Sequence, residues 1–316
     1  MKTNYMKTII LLSVILLCIL LNYSYKETLQ NNYKILKVTE WYGRLGNNLI
    51  TLYDSLYFAI QNNYDAIIFP KHEMFNTQII KLNHNIDLND NNMNDYNDIC
   101  IIKRGEEMFN YFKQIENKCF DVNKNIIIGY LKKIFKIKYK SIKKGSEKDL
   151  YIHIRSGDLI DSNGNSTGFS ITLPEYRPLP LSFYTTIIDN NKYDNVYIIS
   201  EDDKFPAISI LLDKYPNVKF KIRSLDDDIK LIMGARNIAY GWGSFIPTLL
   251  WFNEGLNNVY ISQYYDNIFG INYDKECWCK YHGYKNKKII PIKQEYINII
   301  KKNTGKPILK YYIINN

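Results

Sequence analysis

Leu150-Tyr151-Ile152-His153-Ile154-Arg155-Ser156-Gly157-Asp158 is the stretch from which the fold is read. Its first five residues are aliphatic, β-branched or aromatic and predict a strand over Leu150–Ile154, and the polar, glycine-containing tail marks where that strand stops. In a parallel sheet the carboxyl ends of the strands face the ligand. His153 and Arg155 lie two apart, so they share one face of the strand. A guanidinium there can grip two phosphate oxygens at once. The plainer alternative makes His153 a core histidine and Arg155 the partner of Asp158.

Working outward, strands are predicted at Asn195–Ser200, Val218–Ile222, Asn237–Tyr240 and Asn258–Ser262. Helices fill the gaps at Leu181–Asp189, Lys204–Lys214, Asp227–Arg236 and Phe245–Asn253. Such alternation predicts a doubly wound parallel sheet. Upstream, a strand over Tyr33–Thr39 and a helix over Asn47–Gln61, with Leu49, Leu52, Leu56 and Ile60 at helical spacing, open an earlier α/β half. Apolar runs at Ala66–Phe69, Ile99–Ile102 and Ile126–Gly129 continue it, and one more helix is expected near Gln294–Lys301. The lysine-rich stretch up to Lys148 is the best boundary, giving an N-terminal domain over 31–147 and a C-terminal domain over 148–316.

Two further segments carry candidate chemistry. Gly43-Arg44-Leu45-Gly46-Asn47 joins a strand to a helix, where glycines let backbone approach a ligand and Asn47 can cap the helix. Gly241-Trp242-Gly243-Ser244-Phe245 joins a later strand to a helix, where Ser244 and the first backbone N–H groups can meet a phosphate. Either segment alone reads equally well as a plain turn.

In order and spacing the three segments resemble the superfamily that joins α1,2- and α1,6-fucosyltransferases to protein O-fucosyltransferases, from about Glu40 to Tyr260. The resemblance implies a GT-B-like α/β architecture of two facing Rossmann-like domains, the first on the acceptor side and the second binding the nucleotide sugar. It implies transfer of fucose from GDP-fucose to a glycan or glycoprotein hydroxyl with inversion, with no cofactor and no metal. It places Gly43, Arg44, Gly46 and Asn47 on the near wall of the cleft, Arg155 on the diphosphate and His153 near donor and ribose. It also sets Gly243, Ser244 and Phe245 at the phosphate, with Asp202 in a short acidic motif and Asp228 opening the helix before the last strand. The chain departs from the pattern in having Arg155-Ser156 where several members have two arginines, and Asn47-Asn48 where many have Asn-Gln.

The chemistry can be stated from the residues alone. A departing nucleoside diphosphate gathers negative charge, which a fixed arginine and backbone donors can stabilise. Arg155 is the leading catalytic candidate, with Glu40 and Asp158 as candidates for the base. Asp202 and Asp228 are acceptors available to a guanine N1–H and amine. Two rivals stay open: a metal-dependent GT-A transferase using Glu201-Asp202-Asp203, and a carbohydrate-binding protein without catalysis.

Composition bounds the rest. With 46% hydrophobic and 15% aromatic residues among 316, the chain is globular and large enough for two domains. Its net charge of +9 and mean hydropathy of −0.30 come with scattered lysines and no nucleic-acid motif, so no nucleic-acid partner is expected. The cluster at Lys132–Lys144 reads as a solvated face or a contact to an anionic membrane. Residues 1–30 read as a cytoplasmic stub and uncleaved signal anchor: Thr8–Leu21 is apolar, follows Lys2 and Lys7, and lacks a small-x-small cleavage site. That predicts a single-pass type II membrane protein facing the endoplasmic reticulum or Golgi lumen. There, Asn165-Ser166-Thr167 would be a glycosylation sequon, and Cys100, Cys119, Cys277 and Cys279 would admit three pairings.

Overall fold

The computed structural model describes residues 15–17, 33–84, 99–102, 124–159, 179–241, 243–262 and 287–291. Its first part runs β1 (Ile35–Val38), α1 (Leu45–Gln61), β2 (Ala66–Ile68), β3 (Ile79–Lys81), β4 (Ile99–Ile102) and α2 (Lys124–Ile134). The strands form a sheet in the order β3-β2-β1-β4, parallel except for the β2–β3 pair. The apolar run at Ile126–Gly129 falls inside α2. Strand β3 was not anticipated, because Ile79-Ile80-Lys81 is too short to show a period.

The second part runs β5 (Asp149–His153), α3 (Leu181–Asn190), β6 (Asn195–Ile199), α4 (Pro206–Lys214), β7 (Val218–Phe220), α5 (Leu225–Gly234), β8 (Asn237–Tyr240), α6 (Phe245–Leu249), β9 (Asn258–Ser262) and β10 (Lys287–Ile290). All six strands are parallel, in the order β7-β6-β5-β8-β9-β10. Numbered within this sheet, that is 3-2-1-4-5-6, the doubly wound dinucleotide-binding order. The chain starts at the middle of the sheet and fills it in both directions. The loops after β5 and β8 therefore diverge and leave a crevice between them.

Side-chain alternation explains why β5 sits at that centre. Leu150 and Ile152, fully buried, pack on one face with α3 and α4 through Phe183, Ile187, Ile208 and Leu211, while Tyr151 packs on the other. On that other face, α1 contributes Leu49, Leu52 and Leu56, α5 contributes Ile229 and Ile232, and α6 contributes Ile246 and Leu249. This core also takes in Leu36 and Val38 of β1, so one apolar mass joins the two sheets through α1, α2, α5 and α6. At roughly 1.5–3 kcal/mol per fully buried large side chain, it fixes how α1 meets α6.

Boundaries shift from expectation at several elements: α1 starts at Leu45, so Asn47 lies within it instead of capping it, and two other helix starts have local reasons. Helix α5 starts at Leu225 because Ser224 caps it, its Oγ accepting from the Asp227 N–H at 3.2 Å. Helix α4 starts at Pro206, a residue suited to the first helical position. The membrane-anchor reading, the sequon, Cys119, Cys277, Cys279 and the helix near 294–301 lie outside the described residues, apart from 15–17 within the anchor. No described helix is long and apolar enough to cross a membrane.

Candidate functional site

Arg155 follows the end of β5, at the mouth of the crevice, and its guanidinium meets Asp158 in bidentate fashion, Nε at 3.2 Å from Oδ1 and Nη2 at 2.7 Å from Oδ2. The plainer reading of that pair is therefore realised. Across the crevice, after β8, Gly243 has a φ of +136°, and a Cβ there would stand 3.5 Å from Arg155 Nη1. The arginine thus links the two loops that diverge at the switch point.

The glycine turn before α1 comes to the same place. Gly43 takes a left-handed φ of +66° and aims the chain into α1. Arg44 Nη2 lies 3.5 Å from Asp158 Oδ2, and Nη1 pairs with the Glu201 carboxylate. Asn47 Oδ1 accepts from Ser244 Oγ at 2.7 Å across 197 residues of sequence. Gly46 lies so near α6 that a Cβ would stand 2.6 Å from the Phe245 nitrogen. Segments 43–47, 153–158 and 243–245 therefore converge. Ser244 Oγ and the Phe245 nitrogen, expected to meet a phosphate, face the start of α1 instead.

The charges follow from these contacts. Partial burial pushes the Asp158 carboxyl up, but the hydrogen bond and charge of Arg155, with the charge of Arg44, outweigh it and hold the group below its usual range. Burial first, and Arg155 second, push the His153 imidazole down to about 3, so it is neutral at physiological pH, and its ring leans on Phe245 at 5.8 Å between centroids. Glu40 is exposed beyond β1 and stands outside this network among the described residues.

The two acidic residues expected to accept from a guanine, Asp202 and Asp228, separate clearly. Asp202 is engaged by Lys204, whose backbone N–H and Nζ each stand 3.2 Å from one of its oxygens. Asp228 is 8% exposed, and its Oδ1 has no hydrogen-bond partner among the described residues. Burial, with Asp227 and Glu201, pushes its carboxyl up to about 6 against the pull of Arg223. Neither acid caps its following helix: Ser224 and Phe205 stand at those positions.

Arg223 is the residue that the sequence reading missed. Its side chain is 9% exposed, Nη1 donates to the carbonyls of Ile198 and Lys221 at 3.1 Å each, and it stands 3.8 Å from Asp228 Oδ1. The signal was the one that singled out Arg155, an arginine just past a strand on the ligand side. Exposed Ile222 and Leu225 flank it, the kind of apolar side chain that lies against a flat ring. Among the described residues, no three His, Cys, Asp or Glu side chains are grouped so as to hold a metal ion. Within Glu201-Asp202-Asp203, the first two are paired with Arg44 and Lys204.

No family model and no curated protein matches the sequence. Solved structures similar to it include the NodZ α1,6-fucosyltransferase co-crystallized with GDP, with a TM-score of 0.39, 8% identity, and coverage of 72% of this chain and 94% of that one. Another is POFUT1 in complex with GDP, with a TM-score of 0.38, 10% identity, and coverage of 73% and 98%. NodZ soaked with GDP-fucose gives a TM-score of 0.38, 8% identity, and coverage of 72% and 94%. At such scores no residue role is carried across.

Proposed function

We propose that this chain is a glycosyltransferase acting on a nucleoside diphosphate sugar, with GDP-fucose as the donor to test first. The observation that supports it most is the position of Arg155, at the switch point of a sheet in 3-2-1-4-5-6 order, with the bare backbone of Gly243 beside its guanidinium. In the reaction, the bond from the sugar C1 to the β-phosphate oxygen breaks and its electron pair leaves with the diphosphate. The acceptor hydroxyl bonds to C1 and gives up its proton. Arg155 and Arg44 stabilise the charge gathering on the leaving group, and Gly243 lets the diphosphate approach the backbone. Asp158, held between two guanidiniums, is a poor proton acceptor, which favours Glu40 of the two candidates for the base.

The nucleobase is proposed to be read at the edge beyond β7. Asp228, 8% exposed, is the carboxylate proposed to accept from a guanine N1–H and amine, while Asp202 is already bound to Lys204. Uridine and adenine nucleotides place no such pair of donors there. The resemblance in the sequence names fucose, and a glycan or glycoprotein hydroxyl is the acceptor class proposed with it.

The test is to incubate the full chain with GDP-, UDP- and ADP-sugars in excess EDTA and to follow release of the nucleoside diphosphate. GDP-fucose should be turned over or slowly hydrolysed, with the UDP and ADP sugars at least tenfold slower. Turnover that stops with EDTA and returns with Mn²⁺ would favour the carboxylate-metal rival. Release of no nucleotide from any donor would favour a binding protein.

A further inference from the structure

Four charged side chains meet where the three segments converge. The edge of Arg155 that carries Nε and Nη2 is spent on Asp158, at 3.2 and 2.7 Å. Oδ2 of that carboxylate also lies 3.5 Å from Arg44 Nη2, and Arg44 turns its other nitrogen to Glu201. The Glu201 carboxylate passes over Gly157, in the space that a Cβ there would take. Two guanidiniums and two carboxylates sum to zero. A diphosphate added to this cluster as it stands would gain no net attraction, and it would find the fork of Arg155 occupied. A phosphate pair and a carboxylate pair ask a guanidinium for the same N–H groups in the same plane.

We propose that Asp158 and Glu201 are positioning residues that stand in for the donor's diphosphate, holding Arg155 and Arg44 aligned and giving way when the diphosphate arrives. The proposal rests on the reading of the crevice as a diphosphate site and says how that site is filled: by exchange of one anion for another. Exchange favours a ligand with enough oxygens to satisfy both arginines, which a diphosphate has. Asp158 also lies between two guanidiniums that would otherwise repel each other. Glu201, which the sequence suggested only as a metal ligand, acquires a role through Arg44.

The test is calorimetric titration of the full chain, its Glu201→Gln variant and its Asp158→Asn variant with inorganic pyrophosphate and with GDP at one fixed salt concentration. Removing one competing charge should tighten both ligands about tenfold in each variant, with the KM for the donor falling and kcat not rising. A carboxylate that merely braced its arginine would do the reverse, since its loss would loosen the arginine and weaken binding. Glu201→Gln leaves the Arg155–Asp158 pair in place, so it keeps the test open if Asp158→Asn disturbs the loop, and pyrophosphate reads it free of the effect of Glu201 on Asp228. Tightening in one variant alone assigns the stand-in role to that carboxylate. Affinity unchanged or weaker in both variants, with the parent still binding, overturns the exchange and leaves the diphosphate site in place. Absence of binding by all three proteins would remove the site itself, and the exchange with it.

Discussion

Burial of Asp228 near the start of α5 lifts its carboxyl to about 6 from an ordinary value of 3.8. The folded chain therefore holds this proton more tightly than the unfolded one. The stability this lends is present below about pH 4 and is lost as pH rises to about 6, so above that the ionised carboxylate costs up to about 3 kcal/mol. Asp228→Asn should raise the melting temperature at pH 7.5, by less than the full amount because Arg223 loses its partner, and should change it little at pH 4. The same variant should lose the preference for GDP over UDP, because an amide oxygen is a weaker acceptor for two N–H groups. A thermal-shift series over pH, with and without each nucleotide, checks both parts. Lower stability at pH 7.5 with guanine preference intact would make Asp228 a structural acid. Arg155 and His153 were legible in the sequence because their strand ends sharply at Ser156-Gly157. Arg223 was passed over although it follows a strand as Arg155 does, because Lys219 and Lys221 make that strand read as solvated and no glycine marks its end.

Among the elements, α1 and α6 decide whether the site closes. Their contact at Gly46 is backbone against side-chain-free backbone, with a Cβ standing 2.6 Å from both the Phe245 nitrogen and the Ser244 carbonyl carbon. Backbone cannot turn aside as a flexible side chain can. Gly46→Ala should cost on the order of 1–3 kcal/mol and separate Asn47 from Ser244. Gly129 provides the contrast, sitting within α2 with nothing within 4 Å of an added Cβ. There, alanine should stabilise by about 0.5–1 kcal/mol, because it restricts the unfolded chain and favours the helix. Urea unfolding of the two variants should show opposite signs, and equal stability would mean that α1 and α6 are not held as described. The sequence marked Gly46 as a turn residue for a ligand. Only the fold shows that what approaches it is the protein's own α6.

At the scale of the whole molecule, the second sheet was readable in outline because its strands alternate with amphipathic helices. The order of its strands was not. Nothing in a list of segments says that β8, the fourth strand of this sheet in chain order, returns beside β5, and that return creates the crevice. The core joining the two sheets was equally hidden, since it depends on α1 packing against α6 across almost 200 residues of sequence. The proposed nucleoside-diphosphate site is this convergence, centred on Arg155. Calorimetric titration of the full chain and its Arg155→Ala variant with GDP tests it most directly. The parent should bind one GDP per chain, and the variant, shown by its melting curve to be folded, should bind at least a hundredfold more weakly, because a charge-assisted bidentate contact is lost. GDP affinity in Arg155→Ala within about threefold of the parent, or no GDP binding by the parent, would contradict it.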